Sequence, residues 1–348
     1  MPSASSALSN RPLGTRRIGR LLAVLTEIEY RDFFASGLRE ELRTLVDDLV
    51  VVDPLRPDGL DLAALLAETR PDVLLACWKT PPLPDPLPPE LRYVCYLCGS
   101  VRKLVSRAHV ERGLVVTNWG GSISRIVAEW ALFHILACLR RATYWTLAMH
   151  CDGAWKDERT ETASLFGRRV GIHGFGSIAR RLVGLLAPFD CTISVFAPDV
   201  DAATEREFGI QGVDSLDVLF ADCDVVVEVA PLIPETTGCI TEHHLRLLRP
   251  GSVFVNVGRG AVVDENALVR VAAEGRVQFG LDVFTCEPLP VDHPLRGMAN
   301  VSLTPHLAGP TTDRRRDAGA FALENLRAYA EGRPLQAVIT PEVYDRST

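Results

Sequence analysis

From Leu21 onward, short runs of apolar residues alternate along the chain with segments whose apolar positions recur at helical spacing. That rhythm builds parallel sheets with helices on both faces, so the pattern predicts an α/β protein. In the first third, strands are expected at 21–25, 49–52, 73–78, 92–98 and 114–118, separated by helices such as 37–48, 60–69 and 101–112. A long helical pattern from 124 to 150 follows, and a second alternating series opens at Arg169. Its strands are expected at 170–173, 192–196, 225–229, 253–257, 279–283 and 301–303, a number that suits a nucleotide-binding sheet. After Pro305 the chain returns to helix over 311–331 with no further strands to complete, so this helix is expected to pack back on the first domain. The organisation read from the pattern is two doubly wound parallel-sheet domains. A Rossmann-type cofactor domain over 120–307 is inserted in a flavodoxin-like substrate domain over 18–119 and 308–348. Two crossings between the domains imply a cleft and a hinge. Six prolines between Pro81 and Pro89 read as a rigid loop.

Length and composition agree with this picture. At roughly 150 residues per domain, 348 residues make about two domains. Hydrophobic residues at 47% and charged residues at 23% are ordinary for a folded globular chain, which sets disorder aside. Lys and Arg number 37 against 44 Asp and Glu, so the net charge of −7 offers no global basic field for nucleic acid or an anionic membrane. The longest apolar stretch, 127–139, is interrupted by Glu129 and falls short of the ~20 residues a bilayer requires. Nine cysteines scattered through a large chain point to reduced thiols and a cytoplasmic protein. Cys95 and Cys98, a lone Cys-x-x-Cys in an apolar run, read as buried strand thiols, and no residues show metal-ligand spacing. Residues 1–17 are rich in Ser and Arg as a transit peptide is, but lack an amphipathic repeat and read as a disordered tail.

The chemistry gathers in the second series. Gly171-Ile-His-Gly-Phe-Gly-Ser-Ile-Ala179 follows a strand and opens a helix. Gly174 suits the tight turn, Gly176 lets backbone approach a pyrophosphate, and Ala179 allows close helix–strand packing, a pattern for dinucleotide binding. The next strand ends at Ala197, where an acid normally accepts from the ribose of NAD. Asp199 and Asp201 lie just beyond, with no cation before Arg206 to meet a 2′-phosphate, so NAD is favoured over NADP. Three later strand ends carry Arg259 between two glycines, Glu287 after Asp282, and His306 after Thr304-Pro305. Singly, each suits a bland surface role. Together, beside a dinucleotide loop, a carboxylate anchor, an imidazole and a carboxylate are what hydride reduction of a 2-keto acid needs.

On these motifs the chain resembles the D-isomer-specific 2-hydroxyacid dehydrogenase family, over approximately 94–331. The resemblance rests on Val127-Ala-Glu129, the Gly174/Gly176 loop, Pro231-Leu-Ile-Pro-Glu-Thr-Thr-Gly238, Asn256-Val-Gly-Arg-Gly260 with Val263-Asp264, Asp282-Val-Phe284 with Glu287-Pro288, and Asn300-Val301 with Thr304-Pro-His306. It implies that Arg259 holds the substrate carboxylate, that His306 is the acid/base, and that Glu287 pairs with His306 and fixes its ring. It further implies that Gly174, Gly176, Ser177, Ile178, Asp199, Pro231, Val257, Gly258, Asp282 and Gly309 bind the cofactor, Asp282 through the nicotinamide carboxamide. A homodimer joined through the helix after Glu129, acting on a small 2-keto or 2-hydroxy acid, is also implied.

The sequence departs from that family at the loop that cups the substrate carboxylate, which reads Cys98-Gly99-Ser100-Val101-Arg102-Lys103 instead of a Gly-rich run ending in Asp-Asn. Lys79 and Arg102 would suit a doubly anionic substrate; the alternative is that they are solvated cations. Trp119, beside the unusual Gly120 and Ile123, reads either as a pocket wall or as a packed hinge residue. His173 and the pair His243-His244 read as structural or exposed. Two other functions remain open on the same fold, a dinucleotide-sensing corepressor-like scaffold and phosphite-type oxidation.

Overall fold

The computed structural model describes residues 17–35 and 37–346, so the expected tail lies outside the described residues apart from Arg17. The chain divides into two compact units, one holding the residues up to Gly120 together with Arg315–Tyr344, the other Gly121–Arg314.

The first unit is built on β1 (Ile18–Val24), β2 (Val46–Val52), β3 (Val73–Ala76), β4 (Tyr93–Tyr96) and β5 (Val115–Thr117). They form one parallel sheet in the order β2-β1-β3-β4-β5, the flavodoxin-like order. β3 and β4 are buried at every position, as apolar runs covered on both faces should be, whereas edge strand β2 carries exposed Asp47 and Asp48. The helix Arg315–Glu331 returns to this unit, where Arg315 meets Asp32 at 2.8 Å and Arg327 meets Glu41 at 2.9 Å.

The second unit contains β6 (Arg169–His173), β7 (Thr192–Phe196), β8 (Gln211–Gly212), β9 (Val225–Glu228), β10 (Val253–Asn256), β11 (Gln278–Leu281) and β12 (Val301–Leu303). All are parallel in the order β12-β11-β10-β9-β6-β7-β8. This is the doubly wound order of a Rossmann sheet, with its switch point between β6 and β9. Its core lies around Phe220, Phe254 and Phe279.

The elements differ from the sequence expectation at several places, among them β2, which begins at Val46, inside the helix expected over 37–48. The helix Glu27–Phe33 was not expected, although Thr26 and Glu29 close a capping box at its start. The helix expected at 101–112 is confined to Arg107–Glu111. Ser106 caps that turn, and the preceding segment is a loop tied to the Pro-rich stretch by Leu83 N–H donating to the Leu104 carbonyl. The long helix expected over 124–150 is two helices, Ser124–Leu139 and Ala142–Asp152, broken at Arg141. Arg141 takes a left-handed φ of 51°, its guanidinium lying over the Tyr144 ring, with no Gly or Pro to announce the break. β8 is the strand the sequence pattern lacked. No helix among the described residues is long and apolar enough to cross a membrane.

Candidate active site

In the second unit the chemistry-bearing residues collect at the carboxyl ends of the strands, the edge where open α/β sheets take ligands. β6 runs into Gly174, whose φ of +88° needs glycine and whose absent Cβ would lie 2.7 Å from the Ala230 Cα. Gly176 then begins the helix Ser177–Leu186 with no side chain capping its first-turn N–H groups, and a Cβ at Gly176 would meet nothing within 4 Å. An open face over unsatisfied N–H groups at the positive end of a helix dipole fits a pyrophosphate. Ser177 is exposed and shares a hydrogen bond of 2.7 Å with Ser124, while Ile178 is half-buried. Beyond β7, Asp201 is committed to capping the helix Ala202–Phe208 through the Thr204 N–H at 2.8 Å, which leaves exposed Asp199 as the acid near that strand end.

A buried pair braces this loop. His173 Nδ1 bonds Glu228 Oε2, the ring stacks on Phe196 with centroids 5.6 Å apart, and Glu228 Oε1 accepts from the Ala230 N–H at 2.7 Å. Glu228 escaped the sequence reading because it sits inside an apolar strand run.

Across the sheet, β10 ends in a turn clamped by Asn256, whose Oδ1 accepts from Gly258 N–H at 3.0 Å and whose Nδ2 donates to the Arg259 carbonyl at 3.1 Å. Gly260 is compulsory, since a Cβ there would lie 2.1 Å from the Phe284 carbonyl carbon. Arg259 Nη1 donates to the Gly258 carbonyl at 2.7 Å; burial lowers its pKa, and the charge of Glu287 opposes that shift. Glu287 accepts from Phe284 N–H at 3.0 Å through Oε1 and meets His306 Nδ1 at 2.8 Å through Oε2. Because a carboxylate only accepts, Nδ1 carries the proton and Nε2 of the half-exposed imidazole is the atom left to exchange one. A cavity of about 530 Å³ opens here, lined by His306, Glu287, Phe284 and Thr304 among others. One sheet edge thus brings together Arg259, Glu287 and His306, the three strand-end groups the sequence singles out.

Comparison with known proteins decides the family. Residues 132–308 match the family described as D-isomer specific 2-hydroxyacid dehydrogenase, NAD binding domain. The chain belongs to the D-isomer-specific 2-hydroxyacid dehydrogenases. It is an NAD-dependent oxidoreductase. It is 37% identical over 240 residues to hydroxyphenylpyruvate reductase of Plectranthus scutellarioides, covering 67% of this chain and 72% of that protein. It is 32% identical over 262 residues to glyoxylate reductase of Aeropyrum pernix, covering 73% and 78%. Among solved structures it resembles a glyoxylate reductase from Paecilomyes thermophila, with a TM-score of 0.79, 25% identity and coverage of 93% and 99%.

In this dehydrogenase the remaining assigned residues fall into two groups. Gly176, Ser177, Asp199 and Pro231 are exposed and Gly309 is half-buried, whereas Val257, Gly258 and Asp282 are buried. The Asp282 side chain has no exposure; its Oδ1 accepts from Trp130 Nε1 (3.1 Å), Thr304 Oγ1 (2.6 Å) and Leu307 N–H (2.8 Å), and its Oδ2 from Ala308 N–H (2.9 Å).

At the carboxyl edge of the first unit, Gly99 and Ser100 are half-buried, Val101 is buried and Lys79 is exposed. Arg102 is exposed, lies over the Tyr344 ring and donates to the Tyr344 carbonyl at 3.2 Å. Trp78 and Trp119 meet edge-on at 6.3 Å, and Arg315 lies over Trp78. Cys98 faces Cys77, Sγ to Sγ 3.6 Å, instead of Cys95, and all three thiols are free and buried. Burial pushes the Cys95 thiol up to about 11. His243 and His244 both lean on Asp217, at 3.2 and 3.3 Å.

Proposed function

We propose that this dehydrogenase works as a 2-keto acid reductase in which His306 is the acid/base, Glu287 its partner and Arg259 the carboxylate anchor. The observation that carries the reading is the 2.8 Å bond from His306 Nδ1 to Glu287, which leaves Nε2 alone available for proton exchange. NAD, when bound, supplies or accepts the hydride at the substrate's carbonyl carbon. In reduction, His306 Nε2 gives its proton to the carbonyl oxygen; in oxidation it takes the proton of the hydroxyl. Glu287 stabilises the imidazolium while the proton is held and keeps the ring from turning. Arg259 carries a planar fork that matches a carboxylate, and the Asn256 clamp on its turn fixes where that fork starts. The Gly174–Ser177 turn would hold the pyrophosphate, with exposed Asp199 the acid available to the ribose.

Lys79, Gly99, Ser100, Val101 and Arg102 would be the substrate-binding residues of the first unit. A doubly anionic substrate would be met by Lys79 or Arg102, both exposed. Association into a homodimer through the helix after Glu129 is supported by Phe133 on it, Leu147 and Met149 on the helix that follows, and Trp155 in the loop beyond, which expose 46, 58, 49 and 74% of their surface. Nine free thiols favour a reducing, cytoplasmic setting.

The test is oxidation of NADH and NADPH, followed by the absorbance of the reduced nicotinamide, with glyoxylate, pyruvate, hydroxypyruvate, an arylpyruvate, oxaloacetate and phosphonopyruvate. Turnover of one of them that His306→Ala abolishes is the expected result. Tight NADH binding with no turnover on any of them would turn the reading toward a dinucleotide-sensing scaffold.

A further inference from the structure

His306 holds a φ of +54°, the left-handed region that a residue with a side chain seldom adopts. Such a conformation persists only where its surroundings dictate it. The dictating group is Asp282. Its main-chain carbonyl accepts from His306 N–H at 2.8 Å, and its carboxylate takes Thr304 Oγ1 on one side of His306 and the N–H groups of Leu307 and Ala308 on the other. The turn that carries the imidazole is therefore nailed at both ends to one fully buried carboxylate.

A second ring completes the arrangement from the helix Ser124–Leu139. His134 has no exposure, and its Nε2 lies 2.9 Å from Thr304 Oγ1. Thr304 has a single hydroxyl proton, and Asp282 as an acceptor takes it at 2.6 Å. His134 must then be the donor to Thr304, which fixes the Nε2–H tautomer and leaves Nδ1 bare. Nδ1 is indeed buried without a partner, packed where a Cβ on Gly280 would come within 2.9 Å. Trp130, one turn earlier, donates to the same Asp282 oxygen and meets the His134 ring edge-on at 5.6 Å. A polar ring in this apolar helix face costs free energy unless it makes its hydrogen bond, and the one it makes is to Thr304.

We infer that His134 is a positioning residue for His306, acting through Thr304 and Asp282 on the turn that aims the catalytic imidazole. The inference rests on the reading of His306 as the proton donor. Donation from His134 polarises the Thr304 hydroxyl toward Asp282 Oδ1 and strengthens that bond, which holds in place the carboxylate whose Oδ1 and Oδ2 accept from the Leu307 and Ala308 N–H groups. His134 itself touches neither substrate nor cofactor in this scheme. It exchanges no proton during turnover.

The experiment compares His134→Leu, which keeps the bulk without a donor, with His134→Gln, which restores an N–H near the same point. Steady-state kcat, KM for the keto acid and NADH affinity are measured for each, with the melting temperature alongside. We expect His134→Leu to lower kcat about fivefold, the effect of one lost neutral hydrogen bond. KM and NADH binding stay put, and His134→Gln regains most of the loss. Adding Thr304→Val to His134→Leu should lower kcat no further than Thr304→Val does alone, because both cut one chain. If His134→Leu does not fold, Thr304→Ser against Thr304→Val carries the same test, serine keeping the hydroxyl. Equal kcat for the Leu and Gln variants, or for the Ser and Val variants, overturns the inference, as does a loss that follows melting temperature alone. Full turnover by His306→Ala would remove the reading beneath it; His306→Ala inactive with His134→Leu at wild-type kcat removes the positioning role alone.

Discussion

At the carboxyl edge of the seven-stranded sheet the side chains are titratable, and each is tied to a named partner: His306 to Glu287, Glu287 to the Phe284 N–H, Asp282 to four donors. At the same edge of the five-stranded sheet the side chains are mostly aromatic or cationic, and rings hold them: Trp78 against Phe33 and Trp119, Arg315 over Trp78. Directional hydrogen bonds fix an atom to a few tenths of an ångström, which proton transfer demands. Ring packing fixes a surface without fixing an atom, which suits the selection of a substrate's side chain. The chemistry and the specificity of this dehydrogenase are thus expected to respond to different kinds of substitution.

The sharpest way to break that contrast is His306→Ala, for which kcat should fall by roughly 10²–10⁴-fold while NADH affinity is unchanged. Stopped-flow turnover with fluorescence titration of NADH separates the two. Next in size is acid sensitivity. Burial lowers the His134 pKa from 6.5 to about 4, so the unfolded chain binds this proton first as pH falls. Stability from this group is whole above pH about 6.5 and is lost progressively down to pH about 4, by a total on the order of 3 kcal/mol. Urea unfolding across that window should show the decline, and His134→Gln should lack that portion of it. Arg259→Lys comes third: a point charge in place of a fork should raise KM for the keto acid roughly 10–100-fold with NADH binding intact. The smallest effect belongs to the aromatic edge. Trp78→Leu should change the ratio of kcat/KM between an arylpyruvate and glyoxylate by about tenfold or less and leave NADH affinity alone; an equal loss on both substrates would erase the division between the two edges.

Much of the fold was legible because it is written at short range. β3, β4, β9 and β10 are buried at every position and stand out as apolar runs, and the turn at Gly174 follows its strand within a few residues. Arg259, Glu287 and His306 were legible as strand-end groups beside a dinucleotide loop. The Thr26–Glu29 capping box was there to be read and would have placed the helix Glu27–Phe33. The break at Arg141 was not, since a left-handed arginine over a tyrosine ring has no local signature.

The sequence by itself determined the periods, the turns and the chemical groups at the strand ends, because hydrophobic alternation and glycine geometry act over a handful of neighbours. Only the tertiary structure decided which polar groups meet. His173 finds Glu228 across 55 residues and His134 finds Thr304 across 170, and neither partner is marked in the chain. The reason is register: pairing Leu281 with Leu303 sets the ends of β11 and β12 level, so that Asp282 and Thr304 emerge side by side. The same pairing brings the turn of His306 over the buried carboxylate that holds it.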